Sequence, residues 1–191
     1  MAGLKGGLMR LPAWLRRGAA GAAESGPGED TPGVLFVCMG NICRSPTAEA
    51  VLRLKLRQAG LHEQVRVDSA GTGGWHAGEP PDPRAVRVAE ARGYDLAPLR
   101  ARQVRAEDFS RHRWVLAMDQ DNLSWLRGKA PPEAAAELGL LMAHAQRHRD
   151  VLEVPDPYYG TQAGFERVLD LVEDACDGLL ARLQADLGSP R

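Results

Sequence analysis

Four consecutive strand-forming residues, Val34-Leu35-Phe36-Val37, run directly into a short polar loop and then into a helical stretch. An unbroken apolar run of this kind has no polar face to give to water, so it reads as a strand covered on both sides. Such strands belong to parallel sheets, whose crossover helices coat both faces. Taken with the strand and helix signals that alternate after it, this segment implies a parallel sheet with helices on both faces.

The helix after the loop has Ser45 as its expected cap, Pro46 in its first turn, an apolar face of Ala48, Val51, Leu52, Leu56 and Ala59, and Gly60 as its stop. Val65–Asp68 reads as a second strand that enters the glycine-rich Ala70-Gly71-Thr72-Gly73-Gly74. Asp82-Pro83 opens a helix with Ala85, Val86 and Ala89 inward and Gly93 as its end. A helical turn is predicted over Ala106–Phe109, a third strand over Trp114–Ala117, and a helix capped by Asp119 through Leu126, before Pro131-Pro132 breaks the chain. Ala134–Leu141 fits helix by composition and strand by the alternation of units. The clearest element is the last: Phe165, Val168, Leu169, Val172, Cys176, Leu179, Leu180 and Leu183 keep helical spacing over about five turns.

The chain has 191 residues, enough for one domain with a substantial core. Its net charge of -1 argues against a general nucleic-acid binder, and no apolar run approaches the roughly 18 residues of a membrane-spanning helix. Residues 1–31 are basic at first and then Gly/Ala-rich, and they lack the uninterrupted apolar core of a secretory signal. They read as a disordered extension, although their arginine-bearing, acid-poor character also fits a transit peptide. The domain is expected over 32–186, with a short tail at 187–191. Three cysteines make no disulfide framework, which points to a reducing, cytoplasmic setting.

The chemistry is concentrated in Cys38-Met39-Gly40-Asn41-Ile42-Cys43-Arg44-Ser45-Pro46. The segment lies at the end of the first strand, where an open α/β sheet forms its ligand crevice. A chain curled between Cys38 and Arg44 can aim backbone N–H groups at a tetrahedral dianion, with the helix N-terminus adding favourable charge. Gly40 and Asn41 tolerate the left-handed backbone that so tight a loop requires. Arg44 offers a permanently charged planar fork for two phosphate oxygens. The same field favours an ionised sulfur on Cys38, assisted by a hydroxyl from Ser45, and a thiolate is a competent nucleophile at neutral pH.

These segments resemble the low-molecular-weight protein tyrosine phosphatase family. The loop looks like its signature. Ser69-Ala70-Gly71-Thr72, Met118-Asp119 with Asn122, and Asp156-Pro157-Tyr158-Tyr159-Gly160 match it in order and spacing across Val34 to Leu183. The resemblance implies a three-layer α/β sandwich with a four-stranded parallel sheet flanked by helices. It also implies Cys38 as nucleophile, Arg44 as phosphate clamp, and Asp156 as the acid that protonates the leaving phenolate. Ser45 would stabilise the departing thiolate, Asn41 bonded to Ser69 would hold the loop, and Asp119 would brace it. Trp75, Tyr158 and Tyr159 would wall the crevice and favour phosphotyrosine-containing protein substrates. No metal or other cofactor is implied, and a monomer is expected.

Other features read more plainly. Cys43 fits packing or reversible redox protection of Cys38 equally well, and Cys176 falls on the core stripe of the last helix. His144 and His148 read as a solvated pair, and the arginines from Arg100 to Arg113 as a solvated face. Two other activities use the same scaffold. Thiol-dependent arsenate reduction needs relay cysteines, and none lies between Cys43 and Cys176. A branch acting on phosphoarginine carries threonine where this chain has Ile42. A non-catalytic phosphotyrosine-binding module would be expected to lack Cys38, Arg44 or Asp156.

Overall fold

The computed structural model describes Gly28 and residues 31–188. The expectations for residues 1–27, 29–30 and 189–191 lie outside the described residues. Strand β1 (Gly33–Cys38) is buried along its whole length and pairs in parallel with β2 (Arg66–Gly71) on one side and β3 (Trp114–Ala117) on the other. Strand β4 (Glu137–Leu140) pairs in parallel with the outer side of β3, giving the order β2-β1-β3-β4. The unresolved choice over Ala134–Leu141 thus falls to strand: ladder bonds to β3 outweigh the helical leaning of its alanines and leucines.

Side-chain alternation along β1 divides the core. Val34 and Phe36 face helices α1 (Arg44–Gln58), α2 (Pro83–Glu90) and α5 (Gln162–Gly188), while Leu35 and Val37 face α3 (Asp108–Arg111) and α4 (Gln120–Lys129). The result is the expected three-layer α/β sandwich with a four-stranded parallel sheet. Because the chain leaves β1 for one edge and returns to β3 on the other side, the loops after β1 and β3 diverge and open a crevice at the carboxyl end of the sheet.

Several boundaries differ from the sequence reading. Helix α1 begins two residues early, with Cys43 at the cap position and no side-chain cap, because the Ser45 hydroxyl is turned to the sulfur of Cys38 instead. On α2 it is Val88 that is buried with Ala85 and Ala89, and Val86 packs only partly. Helix α4 continues to Lys129 with Asp119 as its cap, accepting from the amide of Asn122 at 2.7 Å. Helices α1 and α2 stop where expected, at Gly60 (φ 70°) and Gly93 (φ 83°), both in the left-handed region. No helix among the described residues is long and apolar enough to cross a membrane.

Helix α5 also anchors the long segment that returns from β4 to the crevice. A 3-10 turn (Leu141–His144) is followed by Gln146, Arg147 and His148, whose amides all donate to the buried carboxylate of Asp174 at 2.8 to 3.3 Å. Burial opposes the charge on Asp174, but these amides and the His148 imidazole outweigh it and hold the carboxyl well below its usual range. His148 is therefore paired with Asp174, and His144 is half-buried; the two do not form a solvated pair. Beside them α5 approaches so closely that a β-carbon on Gly178 would lie 1.9 Å from the carbonyl oxygen of His144. Alanine is the better helix former by about 1 kcal/mol. Gly178→Ala is nonetheless expected to destabilise the protein by about 1–3 kcal/mol, the usual cost of overpacking, read as a lower urea midpoint at unchanged slope.

Candidate active site

The loop between β1 and α1 is held from outside by its carbonyls. Those of Cys38 and Met39 accept from the amides of Thr72 (2.8 Å) and Gly73 (2.9 Å), and that of Ile42 accepts from Asp82 (2.7 Å). In a trans peptide the N–H points opposite to the C=O, so the following amides of Met39, Gly40 and Cys43 face the interior of the loop. Gly71 makes this closure feasible, since a β-carbon there would come within 2.7 Å of the Met39 carbonyl oxygen.

At the floor of the loop lies Cys38 Sγ, which accepts from the amide of Asn41 at 3.2 Å and contacts Ser45 Oγ at 3.0 Å. Asn41 has φ 57° and uses its whole side chain: Nδ2 donates to Ser45 Oγ (2.9 Å) and Ser69 Oγ (2.8 Å), and Oδ1 accepts from the amide of Arg102 (2.9 Å). Ser69 in turn donates to Glu49 Oε2 at 2.5 Å. Glu49 and Arg102 were not singled out in the sequence, since a glutamate inside a helix and an arginine in an arginine-rich stretch look like surface residues. Arg102 bridges Asp68 and Asp108, so it is not part of a solvated face, although Arg100, Arg105, Arg111 and Arg113 are exposed.

Arg44 is buried and makes three side-chain hydrogen bonds. Nη1 donates to Asp119 Oδ2 (2.5 Å) and to the carbonyl of Val154 (3.1 Å), and Nη2 donates to Asp156 Oδ2 (2.8 Å). Burial works against its charge, but Cys38, Asp156 and Asp119 together overcome it, and its pKa is raised. Asp119 braces the loop through this arginine while capping α4. Asp156 is nearly half exposed, and its Oδ1 accepts from the amide of Tyr158 at 3.0 Å.

These groups open into a crevice of about 390 Å³ lined by Cys38, Met39, Gly40, Ile42, Cys43, Arg44, Trp75, His76, Asp156, Tyr158 and Tyr159. Trp75 and Tyr159 stand at its mouth, 73% and 98% exposed, and Tyr158 meets Tyr159 edge to face at 5.0 Å. His76 is an addition to the expected walls; its imidazole is bonded to Glu79 and leans over Gly40. All three cysteines are free. Burial, with Asp82 and Cys38 nearby, pushes the Cys43 thiol far up, and burial does the same to Cys176, which leaves Cys38 as the candidate nucleophile. The one group of acid and imidazole side chains among the described residues close enough to share a cation, Asp68, Asp108 and His112, is already bridged by the Arg102 guanidinium.

A cysteine at the foot of an amide-lined loop, with a buried arginine and a loop-borne aspartate beside it on a parallel α/β sheet, defines the class of cysteine-dependent phosphatases. Residues 33–189 match the family described as low molecular weight phosphotyrosine protein phosphatase. The chain is 51% identical over 154 residues to the low molecular weight protein-tyrosine-phosphatase of Streptomyces coelicolor, spanning 79% of this chain and 93% of that relative. It is 37% identical to the low molecular weight phosphotyrosine protein phosphatase of Homo sapiens over 80% of this chain and 96% of the other. The crystal structure of a protein tyrosine phosphatase from Entamoeba histolytica superposes with a TM-score of 0.78 at 38% identity, covering 82% of this chain and 99% of that one. The chain belongs to the low molecular weight phosphotyrosine protein phosphatase family.

Burial is the main cause that pushes Glu49 up to about 7 from an ordinary 4.5, against the pull of Arg53 and of the Ser69 hydroxyl. A folded pKa above the unfolded one means that the native state binds the extra proton. This contribution to stability is complete below about pH 4.5 and is lost as pH rises through about 7. Glu49→Gln removes the titration, so the variant's unfolding free energy is expected to gain on the parent's between pH 5 and pH 8 in urea titrations. A difference that stays constant over this window would contradict the assignment.

Proposed function

We propose that this chain hydrolyses phosphotyrosine in protein substrates, and small aryl phosphates, through a cysteinyl-phosphate intermediate. The observation that carries the reading is the convergence of Cys38 Sγ, Arg44 and Asp156 on one crevice, with Arg44 bonded directly to Asp156. In the first step the Cys38 thiolate attacks phosphorus and the P–O bond to the aryl group breaks. Asp156 gives its proton to the departing phenolate oxygen. In the second step water attacks the phosphocysteine, Asp156 takes a proton from it, and the S–P bond breaks to return thiolate and inorganic phosphate.

Arg44 and the loop amides neutralise the equatorial oxygens as charge redistributes, so the mechanism places no demand on a metal. A bound dianion takes over Arg44 Nη2 from Asp156 and leaves that carboxyl beside the leaving-group oxygen. Ser45 stabilises the sulfur when it departs, and Asn41 with Ser69 keeps the loop in shape. Ile42, Trp75 and Tyr158 form walls suited to a flat aromatic ring, which supports phosphotyrosine over shorter phosphoserine. The dependence on a reduced Cys38 supports a reducing, cytoplasmic setting.

Cys38→Ser is expected to abolish turnover, because an alkoxide is far harder to form than a thiolate. Asp156→Ala is expected to lose about 10²–10⁴-fold in kcat on phenyl phosphate and much less on p-nitrophenyl phosphate, whose leaving group needs no proton. Equal losses on the two esters would remove Asp156 from the role of acid. A parallel assay on phosphotyrosine, phosphoarginine and arsenate with thiol tests the substrate class. Preference for either of the last two would overturn the reading.

A further inference from the structure

Glu49 is a buried titratable group that the mechanism above does not use, yet it stands at the end of a hydrogen-bonded chain that finishes on the nucleophile. The directions of that chain are fixed by elimination. Asn41 Oδ1 accepts from the Arg102 amide, so Nδ2 must be the donor to both Ser69 Oγ and Ser45 Oγ. Each serine oxygen therefore already accepts one proton and must send its own elsewhere. For Ser69 the acceptor is Glu49 Oε2 at 2.5 Å. For Ser45 the choices are Cys38 Sγ at 3.0 Å and the carbonyl of Ala70 at 3.3 Å.

We propose that Glu49 is a positioning residue for Cys38: its ionised carboxylate, acting through Ser69, Asn41 and Ser45 in turn, sets the hydroxyl that supports the nucleophilic sulfur. The inference rests on the reading of Cys38 as nucleophile.

The consequence of protonating Glu49 follows from the same accounting. Its Oε1 faces Arg53, which can only donate, so an added proton has to sit on Oε2, facing Ser69. Ser69 Oγ then meets two donors, and its own proton loses its acceptor in a buried place. Asn41 is pushed from its position, and Ser45 is released to turn toward Ala70. The charged and titratable groups facing Glu49 are Arg53 on its own helix, Asp68 beside Ser69 on β2, and Arg102 from the segment before α3; burial outweighs them and pushes Glu49 up to about 7.

The test is the pH profile of Cys38 alkylation by iodoacetamide, with the modified site identified by mass spectrometry and folding checked by circular dichroism. The parent is expected to show two steps, one of them near pH 7. Glu49→Gln is expected to show a single step and to alkylate about tenfold more slowly at pH 8, the effect of one hydrogen bond to an ionised group. Ser69→Ala, which leaves Glu49 free to titrate, is expected to lose the same step. Persistence of the step in either folded variant would overturn the relay, since a charge acting through space would survive the loss of Ser69. Should a variant fail to fold, the parent profile still decides: a single step with nothing near pH 7 overturns the proposal. Alkylation reads Cys38 without turnover, so this inference and the phosphatase reading fail separately.

Discussion

Asn41 sits at φ 57°, a backbone conformation that costs an ordinary L-residue about 1 kcal/mol or more. It is held there because its amide donates to Cys38 Sγ and its side chain bonds to Ser45, Ser69 and Arg102. These four contacts tie the loop after β1 to helix α1, to strand β2 and to the segment before α3. Glycine would tolerate the backbone but supply none of the side-chain bonds, and alanine would do neither. The carbonyl bonds to Thr72, Gly73 and Asp82 hold the loop from outside, and this one side chain, both locally permissive and globally bonded, holds it from within.

The second constraint is electrostatic. Arg44 is buried, and a buried cation is tolerable only when its charge is answered nearby. Asp119, fixed as the cap of α4, answers it permanently. Asp156, on a loop, answers it in a way that a bound phosphate can replace. The same guanidinium also bonds to the carbonyl of Val154, two residues before Asp156. Arg44 and Asp156, the proposed clamp and acid, are therefore positioned together, and the segment leading to Asp156 is further fixed by the Asp174 carboxylate and the close approach at Gly178.

Much of this was legible in the sequence, and what was missed has a common physical cause. The buried strand Val34–Val37, the stops at Gly60 and Gly93, and the Asp119 cap are local signals, each read from a few adjacent residues. Ser45 carried two readings, a helix cap because Ser-Pro before an apolar stripe has that local meaning, and a hydroxyl for the Cys38 sulfur; only the second holds, because the closed loop brings Cys38, Asn41 and Ala70 around its oxygen. Glu49, Arg102 and Asp174 look like helix-surface or solvated charges in a one-dimensional pattern. Each is held by a partner 20 to 34 positions away, Ser69 for Glu49, Asp68 for Arg102 and His148 for Asp174. Strand β4 was ambiguous for the converse reason: its composition leans to helix, and only pairing with β3 decides.

Floor and rim of the crevice are built on different principles. Cys38, Asn41, Arg44 and Ser45 are buried and multiply bonded, so the phosphate position is rigid and discriminating. Met39, Trp75, Tyr158 and Tyr159 are among the few large apolar side chains left exposed in the described residues, and they line the crevice with few bonds of their own. On the proposed reading, a multiply bonded floor under an exposed aromatic rim selects strictly for a phosphate at the end of a flat ring and weakly for the peptide around it. Selectivity among phosphotyrosine proteins must then come from contacts made beyond the crevice or from which substrates share its compartment, because the pocket itself has little with which to tell one peptide from another.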